Sequence, residues 1–287
     1  MSTQITTAFS QQFSSNVQLL SQQMGSVLRG AVSEESVTGE KAFFDQIGST
    51  AAVKRTSRHG DTPMVETPHS RRMVTMDSYE WADLIDDADK VRMLIDPTST
   101  YARAAAAAMG RSMDDAIIEA ATGTSKTGKS GATSTSMLSA HQIANGSADL
   151  TLAKLIQAKK TLDLASVDPS IPRHIAVGPD QIEALLNSTT VTSSDFNTIK
   201  ALVQGEINTF LGFTFHVSTR LAKSGNIRSC LAWAEDGLKM AVGKDVMSRI
   251  DERSDKSYST QVYYCATFGA TRMEEEKVVQ IDCDESA

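Results

Sequence analysis

The sequence predicts an α+β fold, and three features carry the prediction. An alanine-rich helical pattern occupies residues 96–123, strand and helix patterns alternate through the middle, and the last part is mostly strand. The chain has 287 residues, 40% of them hydrophobic and 22% charged, enough for one large domain or two modest ones with a hydrophobic core. No apolar run approaches the roughly 20 residues that cross a bilayer. The opening MSTQITTAFSQQFSSNVQ lacks the basic flank and continuous apolar segment of a secretory signal, so export by that route is not expected. Cys230, Cys265 and Cys283 are widely spaced and without a CxxC pair, which predicts reduced thiols and argues against a disulfide framework or a zinc site. A net charge of -7 is a poor match to a protein that grips nucleic acid along its length.

In chain order, residues 1–30 are rich in Gln and Ser. Phe9, Phe13, Val17, Leu20, Met24 and Val27 recur there at steps of three and four, the period of an amphipathic helix. Its uncharged polar side means that it must gain stability by packing, on its own domain or on a neighbour's. Residues 53–76, VKRTSRHGDTPMVETPHSRRMVTM, read as a long exposed β-hairpin or loop, from two prolines, a Gly-Asp pair and alternation near both ends. They carry Lys54, Arg55, Arg58, Arg71 and Arg72 against Asp61 and Glu66. Residues 77–96 reverse the sign and read as an acidic helix, with Asp77, Glu80, Asp83, Asp86, Asp87, Asp89 and Asp96 against Lys90 and Arg92. A basic arm beside an acidic platform suits a hairpin folding back, or an arm lying on the same platform of another subunit. Two solvated faces are the plainer alternative.

The long helix is well marked. Asp96 is placed to accept from the free amides of the first turn, Pro97 presets φ, and Gly123 ends it. Ala104 to Ala108 are the best helix formers, and Gly110 is the weak point. At 1.5 Å per residue the helix would be about 40 Å long, a candidate spine. Its apolar face is read as Tyr101, Ala105, Ala108, Met109, Ser112, Ala116, Ile117 and Ala120. A loop is expected over 123–137. Residues 150–164 read as helix, 173–177 as strand, 179–186 as a short helix opened by proline, 198–207 as helix and 212–217 as strand, a compact module covering about 140–240. Strands follow at 230–233, 238–242, 260–268 and 277–281, with the charged tip SRIDERSDKSYS between the second and third.

One string points to chemistry. GTSKTGKS at 123–130 fits GxxxxGK[ST] without a mismatch, which taken literally is a nucleotide-binding loop using Gly128, Lys129 and Ser130. That loop must follow a buried strand and open a helix whose amides face the phosphates. Here it follows a helix C-terminus, whose partial charge is negative, and precedes GATSTS, a poor helix start. The five histidines stand singly and no nucleophile elbow occurs, so no catalytic, cofactor or metal residue is assigned. Trp81 and Trp233 read as core or interface anchors.

The order of parts resembles a tailed-phage major capsid protein of the Hong Kong 97 type. Four stretches carry the resemblance: GEKAFFDQIGSTAAVKR (39–55), WADLIDDADKVRMLIDPTSTYARAAAAAMGR (81–111), INTFLGFTFHVS (207–218) and FGATRMEEEKVVQI (268–281). It implies an N-terminal arm over 1–40, an extended loop over 41–80, and a peripheral domain over 81–135 with its spine helix at 97–122. An α/β axial domain over 136–243 and peripheral strands with a tip over 244–287 complete the chain. It also implies self-assembly into pentamers and hexamers of an icosahedral head around double-stranded DNA, in the virion, after assembly in the host cytoplasm. Portal and scaffolding proteins are implied partners, a decoration protein is a further candidate, and DNA is held only weakly. On this reading Lys54, Arg55, Arg58, Arg71 and Arg72 are candidates for inter-subunit contact with Asp83, Asp86, Asp87 and Asp89. The alternative is a nucleotide-binding enzyme built on residues 123–130. Some relatives crosslink an extended-loop Lys to an Asn of a neighbouring peripheral domain. Lys54 is a candidate for such a lysine, but no Asn follows Asn226, so no crosslink of that kind is expected.

Overall fold

A computed structural model describes residues 21–58, 60–86, 98–187 and 209–286. The first strands are β1 (Ser33–Ser36), β2 (Lys41–Ile47), β3 (His69–Thr75) and β4 (Asp77–Ile85), followed by helix α1 (Thr98–Thr122). Next come β5 (Ser125–Thr127), β6 (Thr133–Thr135), β7 (Gln142–Ile143), α2 (Leu152–Leu164), β8 (Arg173–Val177) and α3 (Pro179–Asn187). The chain closes with β9 (Thr209–Phe210), β10 (Phe213–Val217), β11 (Lys223–Ser224), β12 (Ile227–Ala234), β13 (Leu238–Arg253), β14 (Ser259–Arg272) and β15 (Val278–Asp284). The chain folds as two compact units.

The larger unit takes residues 27–77, 113–243 and 267–287. Its central sheet runs β7-β15-β12-β8-β10-β9, with β11 paired to β12. β8 is parallel to β10 and antiparallel to β12, and all five of its residues are buried, which is why RHIAV shows no alternation. Thr151 caps α2, its hydroxyl accepting from the Lys154 amide at 3.3 Å. Leu155, Ala158 and Leu162 form the buried stripe of that helix. Trp233 lies wholly inside and donates from Nε1 to the Ala31 carbonyl at 2.8 Å. A second sheet, β2-β3-β5-β6, has a small core of Ala42, Phe44, Val74 and Met76 with Ala241 and Met273. β1 pairs in parallel with the start of β13, Ser33 opposite Lys239.

The smaller unit takes, among the described residues, 21–26, 78–86, 98–112 and 244–266. Here β14 lies between β13 and β4. The Tyr263 hydroxyl donates to Glu80 at 2.9 Å, which pushes its pKa up to about 12. No described helix of the chain is long and apolar enough to cross a membrane.

Several expectations are met closely. α2, β8, α3 and β10 fall within two residues of their expected bounds, because each is a short, strongly periodic segment. Others are corrected. Residues 21–28 are not helical, so the amphipathic pattern makes no helix there, while the part over 1–20 lies outside the described residues. The expected acidic helix is strand β4 over its first nine residues, where burial alternates with period two and Tyr79, Trp81, Asp83 and Ile85 share the inner side. Its remainder at 87–96, the helix start at Asp96 and Pro97, and the expected helix at 198–207 lie outside the described residues. Of the expected hairpin or loop over 53–76 only 69–75 is strand; its partner lies earlier than read, at 41–47. Finally, α1 is rotated from the expected face. Ala107, Met113, Asp114, Ile118 and Ala121 are buried with Ala105, Met109 and Ile117, whereas Ala108, Ser112, Ala116 and Ala120 are half-exposed.

Candidate functional site

The most exposed described segment is the connection of the β2–β3 hairpin. The two strands pair from Lys41↔Thr75 to Ile47↔His69, and Gly48 closes the ladder by donating to the Pro68 carbonyl at 2.9 Å. Every described residue between 47 and 70 is exposed, including Met64 at 99% and Ile47 at 69%. A segment with two prolines and no apolar alternation has no ladder to join and no face to bury, so it stands free of the sheet. Lys54, Arg55 and Arg58 lie on it, all exposed. Arg55 Nε donates to the Ser57 carbonyl at 2.9 Å.

The two remaining basic candidates sit at the root, where β2 and β3 run antiparallel. Arg71 faces outward. Its Nε donates to Asp45 at 2.5 Å, its guanidinium lies 5.5 Å from the centre of the Phe43 ring, and it holds the Asp45 carboxyl below its ordinary range. Arg72, one residue on, points inward and is 7% exposed. It donates from Nε to the Met273 carbonyl at 2.7 Å and from Nη2 to Glu275 at 2.6 Å. Arg72 is thus buried within its own chain, with Nε and Nη2 taken up there, unlike the exposed Lys54, Arg55 and Arg58. Of the acidic candidates, Asp83 is half-buried on β4 and caps its own chain at the Leu84 amide, and Asp86 is exposed. Asp87 and Asp89 lie outside the described residues.

Beside this root lies an open groove of about 780 Å³, lined by Asp45, Ile47, His69, Arg71, Thr127 and Lys129. Lys129 belongs to the GxxxxGKS string, which forms a β-hairpin instead of a loop. β5 pairs with β3 and β6, the Gly128 amide donates to the Arg71 carbonyl at 3.1 Å, and the chain turns at Gly128 with φ +92°. No α-helix follows within the next 20 residues, so the ring of amides and the dipole that a phosphate needs are not assembled. The string enlarges the sheet that supports the arm.

Three further groups were assigned no role from the sequence, where the Asp114-Asp115 pair read as a solvated face. Asp114, wholly buried on α1, accepts from the amides of Val27 and Leu28 at 3.1 Å and anchors that segment. His174 and His216, on neighbouring strands, meet at 3.1 Å between Nδ1 and Nε2, and burial and the facing imidazole lower the His216 pKa to about 4. Arg272 is fully buried near Glu275. The signal for the last was present: an arginine inside the apolar strand YYCATFGATRM needs buried acceptors. No group of three or more His, Cys, Asp or Glu among the described residues is placed to hold a metal ion.

The arrangement is an exposed basic arm on a rigid root, which suits contact with another macromolecule. A family model described as phage capsid protein matches residues 5–285. The fold is similar to that of the capsid of cyanophage P-SCSP1u, with a TM-score of 0.75 at 17% identity over 97% of this chain and 94% of that one. It is similar also to the capsid of Ralstonia phage GP4, with a TM-score of 0.73 at 12% identity, covering 96% and 95%. A third likeness is to the acid-stable capsid of Helicobacter pylori bacteriophage KHP30, with a TM-score of 0.72 at 9% identity, covering 99% and 97%. No curated protein matches the chain in sequence.

Proposed function

Because this chain belongs to the phage capsid protein family and has the Hong Kong 97-type capsid fold, we propose that its major capsid function works through the exposed β2–β3 hairpin, which reaches onto a neighbouring copy. The family match across residues 5–285 carries the reading. The protein is a structural component of the virion, the shell of an icosahedral head, and self-association is its activity. It acts without catalysing a reaction. Identical subunits form both pentamers and hexamers, so each needs a rigid body and an arm that tolerates different angles. Within the larger unit the buried central sheet is the rigid part and serves as the axial domain, while the β2–β3 hairpin is the arm. Residues 78–112 and 244–266 belong to the peripheral domain, and residues 1–40 are the N-terminal arm.

Lys54, Arg55, Arg58 and Arg71 make the arm basic, and the acids at 83, 86, 87 and 89 of an adjacent copy are its complement. Each exposed pair is worth at most about 1 kcal/mol, so their role is to orient subunits, and many copies add the small terms. Assembly takes place in the host cytoplasm on a separate scaffolding protein, around a portal. The acidic net charge leaves packaged DNA only loosely held.

Negative-stain electron microscopy of the purified chain, expressed with and without a scaffolding partner, tests the reading. Closed polyhedral shells or rings of five and six are expected. Replacing Lys54, Arg55 and Arg58 together with glutamate is expected to abolish shells while the subunit keeps its circular dichroism. Normal particles from that variant would refute the arm contact.

A further inference from the structure

Two guanidinium groups share one carboxylate in the interior at the root of the hairpin. Glu275 Oε2 accepts from Arg72 Nη2 at 2.6 Å, while its Oε1 lies 3.8 Å from Arg272 Nε. Arg272 donates from Nη1 to the carbonyls of Ala121 at 2.7 Å and Gly123 at 2.9 Å, and from Nη2 to that of Thr135 at 3.3 Å. Arg72 also holds the Met273 carbonyl, and Gln46 of β2 donates to the same oxygen at 2.9 Å. The cluster thus joins both strands of the hairpin, the C-terminus of α1, the end of β6 and the turn after β14.

Its charge is unbalanced, two cations against one carboxylate. The surplus is met by the carbonyls that end α1, where the partial charge of the helix is negative. Arg72 Nη1, Arg272 Nε and Glu275 Oε1 are buried without a hydrogen-bond partner among the described residues. Apolar side chains of similar volume often fill such a site at equal or better stability. Stability therefore does not account for the cluster, whereas direction does: planar guanidinium forks fix the angles between the segments they join.

We propose that Arg72, Glu275 and Arg272 are positioning residues, a joint that sets the direction in which the hairpin leaves the larger unit and, through it, the curvature of the shell. The second half rests on the assembly reading above. One carboxylate bonded to the first guanidinium and just short of the second also gives the joint a second setting, with Glu275 moved onto Arg272. An arm that serves fivefold and sixfold neighbours requires such a device.

The test uses the full chain with Arg72→Met, which leaves one carboxylate, Glu275, facing one guanidinium, Arg272, and is expected to fold. Glu275→Met would instead leave two buried cations without a carboxylate and is expected to unfold the unit. Nitroxide labels on Ser57→Cys and Glu183→Cys, with the buried native cysteines left in place, report the hairpin direction by double electron–electron resonance. The distance distribution is expected to broaden about twofold in Arg72→Met, and scaffold-assisted particles are expected to lose their uniform diameter. Arg71→Ala, which removes the exposed pair at the same root, should change neither. An unchanged label distribution overturns the joint. A broadened one with shells of normal diameter overturns its part in curvature. If the parent chain makes no shells, the assembly reading fails, and the label distances still decide the joint.

Discussion

His216 shows how much a single residue depends on what faces it. It stands on β10 with Nε2 at 3.1 Å from His174 Nδ1, its ring stacked 6.4 Å from that of Trp233, and Asp114 as the nearby acid. Burial acts first and the facing imidazole second, and together they outweigh Asp114 and bring its pKa from 6.5 down to about 4. In the unfolded chain the imidazole takes its proton as the pH falls through 6.5, while in the folded chain it stays neutral until about 4. The unfolded state therefore binds more protons across that window, and stability falls with falling pH between 6.5 and 4. The melting temperature of the chain is expected to drop over this range, and His216→Phe should flatten part of the slope; an unchanged slope would remove His216 from the account. In the sequence this histidine was one of five scattered single residues, since residues 174 and 216 meet only across the β8–β10 pairing.

At the scale of the element, α1 is where the reading came closest and where it slipped. Its length and its end were legible, because alanine propensity and a terminal glycine act locally, and the Gly123 amide does close the last turn on the Glu119 carbonyl at 2.7 Å. Gly110 read as a weak point, yet it is a crossing point. A Cβ at this position would lie 2.4 Å from the Gly25 carbonyl carbon and 2.6 Å from the Ser26 amide nitrogen, both backbone atoms that cannot rotate away. Gly110→Ala is therefore expected to destabilise by about 1–3 kcal/mol, against the gain in helix propensity that an open site would show. Urea denaturation measures it, and a stabilised variant would mean that the crossing yields. β4 went the other way. Its acids recur at intervals that fit a helix, but strand-like alternation of Tyr79, Trp81 and Ile85 decides once β14 offers an edge to pair with.

For the whole molecule, the prediction concerns how the shell is held. Relatives that crosslink need an asparagine in the peripheral part of a neighbour, and this sequence has none after Asn226. Shells boiled in detergent are thus expected to run as single chains on a gel, and ladders of covalent multimers would contradict that. What the sequence by itself determined were the parts whose causes are local: the spine helix, the alternating module from α2 to β10, the exposed basic arm, and the resemblance carried by four ordered stretches. The tertiary structure decided which side of each part faces inward. It placed Arg72 in a buried cluster with Glu275 and Arg272, folded GTSKTGKS into a hairpin against β3, and paired His174 with His216. The reason is the range of the forces involved. Helix propensity, turn chemistry and periodicity act within a few residues, whereas burial and partner choice come from strands 40 to 200 residues apart that only the folded chain brings together.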